Sequence, residues 1–179
     1  YKEVWSACTV RGLISLRKLS ESGGLELPAD QVKALAAEFE VQDGPNQDGE
    51  MYSRPAKPSD RLPAPFANEQ AARASNNGAF PPDLSVIAKA RHGGADYLYA
   101  LLSGYEEAPA DVQLRDGMNY NVAFAGHQIA MPAPLSDDIV EYSDGSPQTV
   151  EQYARDVAAF LTWASEPTLE ARHKMGLNV

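Results

Sequence analysis

Met131 stands in Gly126-His127-Gln128-Ile129-Ala130-Met131-Pro132-Ala133-Pro134-Leu135, an apolar, proline-rich run with no helical periodicity. A thioether in such a setting has two uses. It fills a core gap, the commoner role of methionine, or it serves as a soft axial ligand to haem iron in a loop that prolines keep stiff, raising the reduction potential. Few other residues compete for the chemistry. Cys8 is the sole cysteine, so no intrachain disulfide forms, and Thr9 after it offers no base to activate the thiol. No cluster of Asp, Glu and His has metal-ligand spacing, and no glycine-rich nucleotide loop is present. His92, His127 and His173 are isolated, each compatible with an ordinary surface or hydrogen-bonded role. Arg91 reads on its own as a surface cation favourably placed at a helix end.

The elements that must position Met131 belong to a chain of 179 residues, 44% hydrophobic and 22% charged, enough for one sizeable core and, by default, one domain. Twenty-five acidic residues against 15 basic give a formal charge of −10, which excludes a general phosphate-backbone binder. Glu38, Glu40, Asp43, Asp48 and Glu50 fall in a stretch without Lys or Arg, either a solvated loop or a surface that steers a basic protein. No apolar run approaches the 18 or so residues that a membrane-spanning helix needs, and Tyr1-Lys2-Glu3-Val4-Trp5 does not resemble a signal peptide. The lone cysteine leaves the redox compartment open.

Helices are expected where apolar residues recur every three or four positions. Val10 to Leu19 is either a short helix or an irregular buried segment. Pro28-Ala29-Asp30 opens a helix with Val32, Leu35, Ala36 and Phe39 on one face, Asp30 or a neighbour as cap, and an end near Val41. From Asp43 to Pro65, Gly44, Pro45, Gly49, Pro55, Pro58, Pro63 and Pro65 predict a long loop without regular structure. A short helix follows over 68–75, then one from Asp83 to Arg91, broken by Gly93-Gly94, and one from Asp96 to Ser103. Tyr105 to Pro134 reads as irregular, and Ser136-Asp137-Asp138 as a brief turn of helix. Thr149 to Ser165, with Thr149 as cap and Val150, Tyr153, Val157, Phe160, Leu161 and Ala164 in register, is an amphipathic core helix. Thr168 to Gly176 mixes Arg172, His173 and Lys174 with few apolar residues. The result is mainly α and loop-rich, and long loops around few helices need something to fold against, for which a large buried cofactor is one answer.

Several blocks in order resemble the cytochrome c1 family over nearly the whole chain. They are Ala74-Ser75-Asn76-Asn77-Gly78-Ala79-Phe80-Pro81-Pro82-Asp83-Leu84-Ser85, Ala90-Arg91-His92-Gly93-Gly94-Ala95-Asp96-Tyr97, Ile129-Ala130-Met131, Ser136-Asp137-Asp138, and the run from Asp156 to Pro167. The resemblance implies a class I cytochrome c-like helical domain with long irregular insertions, covering residues 1–179 as one water-exposed head. It implies haem c as cofactor and Met131 as the sixth iron ligand. Pro81 and Pro82 would pack on the haem face, Asn76, Ala79, Ile87, Tyr97, Phe124 and Ile129 would line the pocket, and Arg91 would meet a haem propionate. The implied function is one-electron transfer from an iron–sulfur protein to a basic, soluble cytochrome c. The implied partners are the cytochrome b and Rieske iron–sulfur subunits of a quinol–cytochrome c reductase. That complex sits at the periplasmic face of a bacterial inner membrane or the intermembrane-space face in mitochondria. The family also has an N-terminal segment before this Tyr1 and a membrane anchor beyond this Val179, so both ends are expected to be trimmed and the fragment soluble.

One block departs from the family. Its Cys-x-x-Cys-His, in which two thiols bond the haem vinyl groups and the histidine ligates iron, corresponds here to Trp5-Ser6-Ala7-Cys8-Thr9. Only Cys8 remains to form a thioether, and Thr9 offers no imidazole. Three states stay open: an ordinary covalent haem with positions 5 and 9 differing from those written, a haem-free scaffold, or haem held by Cys8 alone with His92, His127 or His173 as substitute ligand.

Overall fold

The computed structural model describes residues 14–23 and 25–177, so Trp5, Cys8, Thr9 and the attachment block lie outside the described residues. Two compact units emerge, each taken by itself below.

The first comprises residues 14–64 with 166–177. Ile14, Leu16 and Leu19 are buried around a 3-10 turn, Leu16–Ser20, which accounts for the described part of the first apolar run, residues 10–13 lying outside the described residues. Helix α1, Ala29–Ala37, packs beside it and buries Val32 and Ala36. No side chain caps α1. Pro28 occupies the cap position, and Asp30 sits in the first turn, where its charge suits the helix N-terminus. The helix stops short of Val41 because the chain becomes extended.

The loop expected over 43–65 is in part a β-hairpin. Strand β1, Glu40–Asp43, pairs antiparallel with β2, Tyr52–Pro55, placing Val41 opposite Arg54 and Asp43 opposite Tyr52. Glycine and proline are concentrated in the connection, where Asn46 Oδ1 accepts from the amides of Asp48 and Glu50, both at 2.9 Å. The Arg54 guanidinium ties the hairpin to the following turn by bonding the Asp43 and Asp60 carboxylates, the latter at 2.7 Å from Nη1. Asp43 is therefore not a free member of the acidic stretch.

The second unit spans residues 65–165. Helix α2, Glu69–Ser75, is capped by Asn68, whose Oδ1 accepts from the Ala71 amide at 2.8 Å. The helix expected over 83–91 shrinks to one turn, α3, Ile87–Ala90. Asp83 does not cap it. Its Oδ1 accepts from the Ser85 amide and hydroxyl at 2.8 and 2.6 Å, and this local turn competes with helix. Helix α4, Gly94–Ser103, begins after Gly93, whose φ of 87° is a left-handed geometry that glycine adopts without penalty. It buries Leu98, Leu101 and Leu102.

Two short strands then pair, β3, Asn119–Tyr120, with β4, Gln128–Ile129. Residues 136–138 form a turn without helix. Helix α5, Val150–Ser165, follows its periodicity and buries Tyr153, Ala154, Ala158, Leu161 and Ala164. Thr149 Oγ1 accepts from the Gln152 amide at 3.4 Å, and Asp137 adds a second cap by accepting from the Val150 amide at 2.8 Å. Helix α4 packs on α5, and α3 touches both. Leu102, Leu135, Tyr153 and Ala154 form a core cluster there, flanked by Tyr99, Val140, Tyr142, Val150 and Val157. Tyr153 also pins the 140 loop, donating to the Val140 carbonyl at 2.6 Å.

The first unit is completed by helix α6, Leu169–Leu177, which periodicity did not suggest. The molecule is helix-rich, with short strands and long loops, consistent with a mainly α cytochrome c-like fold. Among the described residues no helix is long and apolar enough to cross a membrane.

Candidate functional site

The chain around Met131 is held by side chains more than by secondary structure. The β3–β4 ladder pairs Asn119 with Ile129 and ends there, so the carbonyl of Met131 lies past the last strand partner. Two side chains reach it instead. The Tyr105 hydroxyl donates to it at 3.2 Å and Asn119 Nδ2 at 3.3 Å. Ile129, just before, is buried, and Met131 is half-buried.

Asn121 anchors this arrangement from below. It is fully buried, its Nδ2 donates to the Leu101 carbonyl of α4 at 2.8 Å, and its Oδ1 accepts from the Ala123 and Phe124 amides at 3.0 and 3.1 Å. Both ends of the side-chain amide are bonded to backbone, which is how a buried polar group limits its desolvation penalty. The Asn121 amide donates to the His127 carbonyl at 3.1 Å and the Val122 amide to that of Gly104 at 2.9 Å. Gly104 is required for closeness. A Cβ there would meet the Ala100 carbonyl oxygen at 2.5 Å. Tyr105 is bridged to Asn121 through backbone, and burial pushes its hydroxyl pKa up to about 12, so it remains a donor at neutral pH.

The second part of the site is the stretch between Ala72 and Leu98. None of its apolar side chains is buried, although it contains Phe80, Pro81, Pro82, Leu84, Val86 and Ile87. Phe80, Pro81, Leu84 and Ile87 are half-buried, Pro82 is exposed, and Val86 is 47% exposed. Ser85 is the buried residue of the stretch, held by Asp83. Asn76 is half-buried and its Nδ2 donates to the Ala72 carbonyl at 2.7 Å, while its own carbonyl accepts from the Ala79 amide at 2.9 Å. Ala79 itself is exposed. Arg91 is exposed at the end of α3, and Tyr97 is half-buried on α4.

Asn76, Ala79, Pro81, Pro82, Ile87, Arg91, Tyr97, Phe124, Ile129 and Met131 thus all belong to the second unit, whereas Cys8 lies outside the described residues. Tyr105, Asn119 and Asn121 were not foreseen. A polar residue in an irregular run carries no pattern that separates a solvated side chain from a backbone link. A cleft of about 430 Å³ opens beside the loop, lined by Tyr105, Glu106, Met118, Asn119, Tyr120 and Ala133, but by none of the sequence-predicted residues.

A thioether is the kind of soft donor that haem iron takes, and Met131 would supply it. Met131 is a half-buried residue on a braced backbone, and the 80–87 stretch carries apolar side chains left partly or fully exposed. The opposite axial position has no such donor among the described residues. His92, His127 and His173 are exposed, and no group of three or more His, Cys, Asp or Glu is placed to hold a metal. His127 is turned to other work. It has φ 57°, a ring nitrogen 3.3 Å from the Asn121 carbonyl oxygen, and its ring 5.8 Å from that of Tyr120.

A sequence profile of the cytochrome C1 family matches residues 1–179. The chain is 55% identical over 179 residues to a protein of Schizosaccharomyces pombe named cytochrome c1, heme protein, mitochondrial, covering all of this chain and 57% of that protein. It is 51% identical over 178 residues to the cytochrome b-c1 complex catalytic subunit, mitochondrial, of Candida albicans, covering 99% of this chain and 61% of that one. Against the cytochrome b/c1 of Bradyrhizobium diazoefficiens the identity is 46% over 198 residues, all of this chain and 29% of the relative. The chain therefore spans little more than half the length of the mitochondrial relatives. With the whole chain matched and half its residues shared, this protein belongs to the cytochrome c1 family.

Proposed function

We propose that the chain is the haem-bearing, electron-carrying head of a quinol–cytochrome c reductase, taking one electron from an iron–sulfur protein and passing it to a soluble cytochrome c. The observation that carries this reading is the apolar stretch from Phe80 to Ile87, in the same unit as a braced Met131, with none of its hydrophobic side chains buried. A haem c, when bound, supplies a one-electron couple whose potential follows axial ligation, burial and nearby hydrogen bonds. Met131 would hold the iron through its thioether. Pro81, Pro82, Ile87, Tyr97, Phe124 and Ile129 would exclude water from the ring, with Asn76 and Ala79 on the turn that leads into them. Arg91 would meet a propionate as a charge-assisted pair. Cys8 would contribute the one thioether bond that the written sequence allows. Cytochrome b and the Rieske subunit are the membrane-complex partners in this reading, with a basic cytochrome c as acceptor. The complex would face the periplasm in bacteria or the intermembrane space in mitochondria, and residues 1–179 would together form the head.

A second reading is favoured by Trp5 and Thr9, which replace a thiol and an imidazole. In it the chain is a haem-free scaffold or interaction module that keeps the family fold. Visible absorption of the purified protein, together with its mass under denaturing conditions, separates the two. A c-type spectrum with covalently added haem mass is expected for the carrier, and a colourless protein of unmodified mass would sink it.

A further inference from the structure

We infer that Tyr105 and Asn119 are positioning residues for the Met131 thioether, holding the backbone that carries it through the Met131 carbonyl. The inference rests on the reading of Met131 as an iron ligand. Three features of the chain converge on it.

The strand pairing that would normally occupy the Met131 carbonyl has ended at Ile129. Pro132 follows directly, so the next peptide has no N–H, and its ring biases Met131 toward an extended backbone. The carbonyl would otherwise be satisfied only by solvent, yet two donors from separate segments meet on it, Tyr105 just after α4 and Asn119 on β3. Asn119 also spans to the Ile129 carbonyl at 3.5 Å, bracing the two residues before Met131 with the same amide.

Holding that carbonyl restrains ψ of Met131 and so the placement of its Cα and Cβ, the base from which the side-chain torsions carry the sulfur. Both donors are rigidly mounted. Tyr105 is bridged to Asn121, which is bonded to the Leu101 carbonyl of α4, so the path from α4 to the Met131 peptide runs through bonded groups. Partners one step removed from a metal ligand orient it and tune its hold on the metal. Neither residue would touch the iron.

The test compares parent, Tyr105→Phe, Asn119→Ala and the double variant in two forms. In the chain as written, the Met131 carbonyl carbon-13 shift should move upfield in each single variant as a donor to that oxygen is lost, with the amide shifts of α5 unchanged. In a background carrying Trp5→Cys and Thr9→His, loaded with haem, added imidazole should displace the methionine about fivefold more readily in each single variant and further in the double. The red charge-transfer absorption of methionine-ligated ferric haem should weaken in step. A merely structural role would alter unfolding and leave imidazole displacement untouched. If the parent itself lacks that absorption, Met131 is not the ligand and the inference falls with the reading. If the parent shows it and both single variants match the parent in displacement, the inference alone is overturned.

Discussion

Replacing Asn121 with alanine would remove the one side chain that joins the Leu101 carbonyl to the Ala123 and Phe124 amides. The site is fully buried, so the orphaned groups cannot recover these bonds from water. Asn121→Ala is expected to destabilise the protein by about 1–3 kcal/mol. The check is the denaturant midpoint, with an unchanged slope showing that the unfolded state is not the cause. An unchanged midpoint would mean that solvent already serves these groups. Met131 was legible in the sequence because a methionine among prolines, off any helical stripe, is an unusual setting. Asn119, Asn121 and Tyr105 were not, since their partners are backbone atoms 10 to 26 positions away for the Met131 and Ile129 carbonyls and 20 for that of Leu101. Arg91 is an exposed cation at the end of α3, and a bound propionate would give it the role the family resemblance implies.

Hairpin β1–β2 depends on one guanidinium. The hydrogen bond from Arg54, then that from the Lys57 amide, hold Asp60 down to about 2, and Arg54 likewise lowers Asp43. Both carboxylates ionise more readily in the folded chain than in the unfolded one. Their contribution is therefore fully present above the ordinary Asp range near 4 and is lost as pH falls through about 2. Protection of the β1–β2 amides, taken relative to their intrinsic exchange at each pH, is expected to fall on acidification across that window, and Arg54→Gln should lower protection at pH 6 and shrink the fall, leaving the part due to the Gly44 and Lys57 amides. A parent whose protection is constant across the window would contradict the assignment. Helix α5 was legible because its apolar residues recur at helical spacing. The hairpin was hidden because its strands are four residues long and the glycines and prolines of its connection dominate the composition. Helix α6 was missed for the opposite reason, having no apolar stripe. It is supported at its start by the Arg172–Glu166 ion pair and along its face by Lys174 and Glu170 at 3.9 Å. The helix expected from Asp83 was overextended because spacing cannot show a carboxylate turning back onto Ser85.

The whole molecule carries a formal charge of −10, and Glu38, Glu40, Asp48 and Glu50 remain exposed after Asp43 is paired. Attraction of a cationic partner by such a field acts on the encounter and is screened beyond about 8 Å at physiological salt. On the proposed reading, association with a basic soluble cytochrome c should therefore slow on the order of tenfold between low and high salt, as stopped-flow mixing would show, with little change in dissociation. A rate indifferent to salt would remove the acidic face from the docking step. At this scale the family was legible from ordered blocks between Asn76 and Pro167. The grouping of residues 166–177 with 14–64 was not, because it rests on contacts between stretches a hundred positions apart. Gly104 shows how tightly such packing constrains heredity. Any side chain there would put its first carbon 2.5 Å from the Ala100 carbonyl oxygen and 3.3 Å from Asn121 Oδ1. No other residue fits there while the last turn of α4 stays where it is, so a substitution of Gly104 is expected to be accepted only together with a compensating shift of α4.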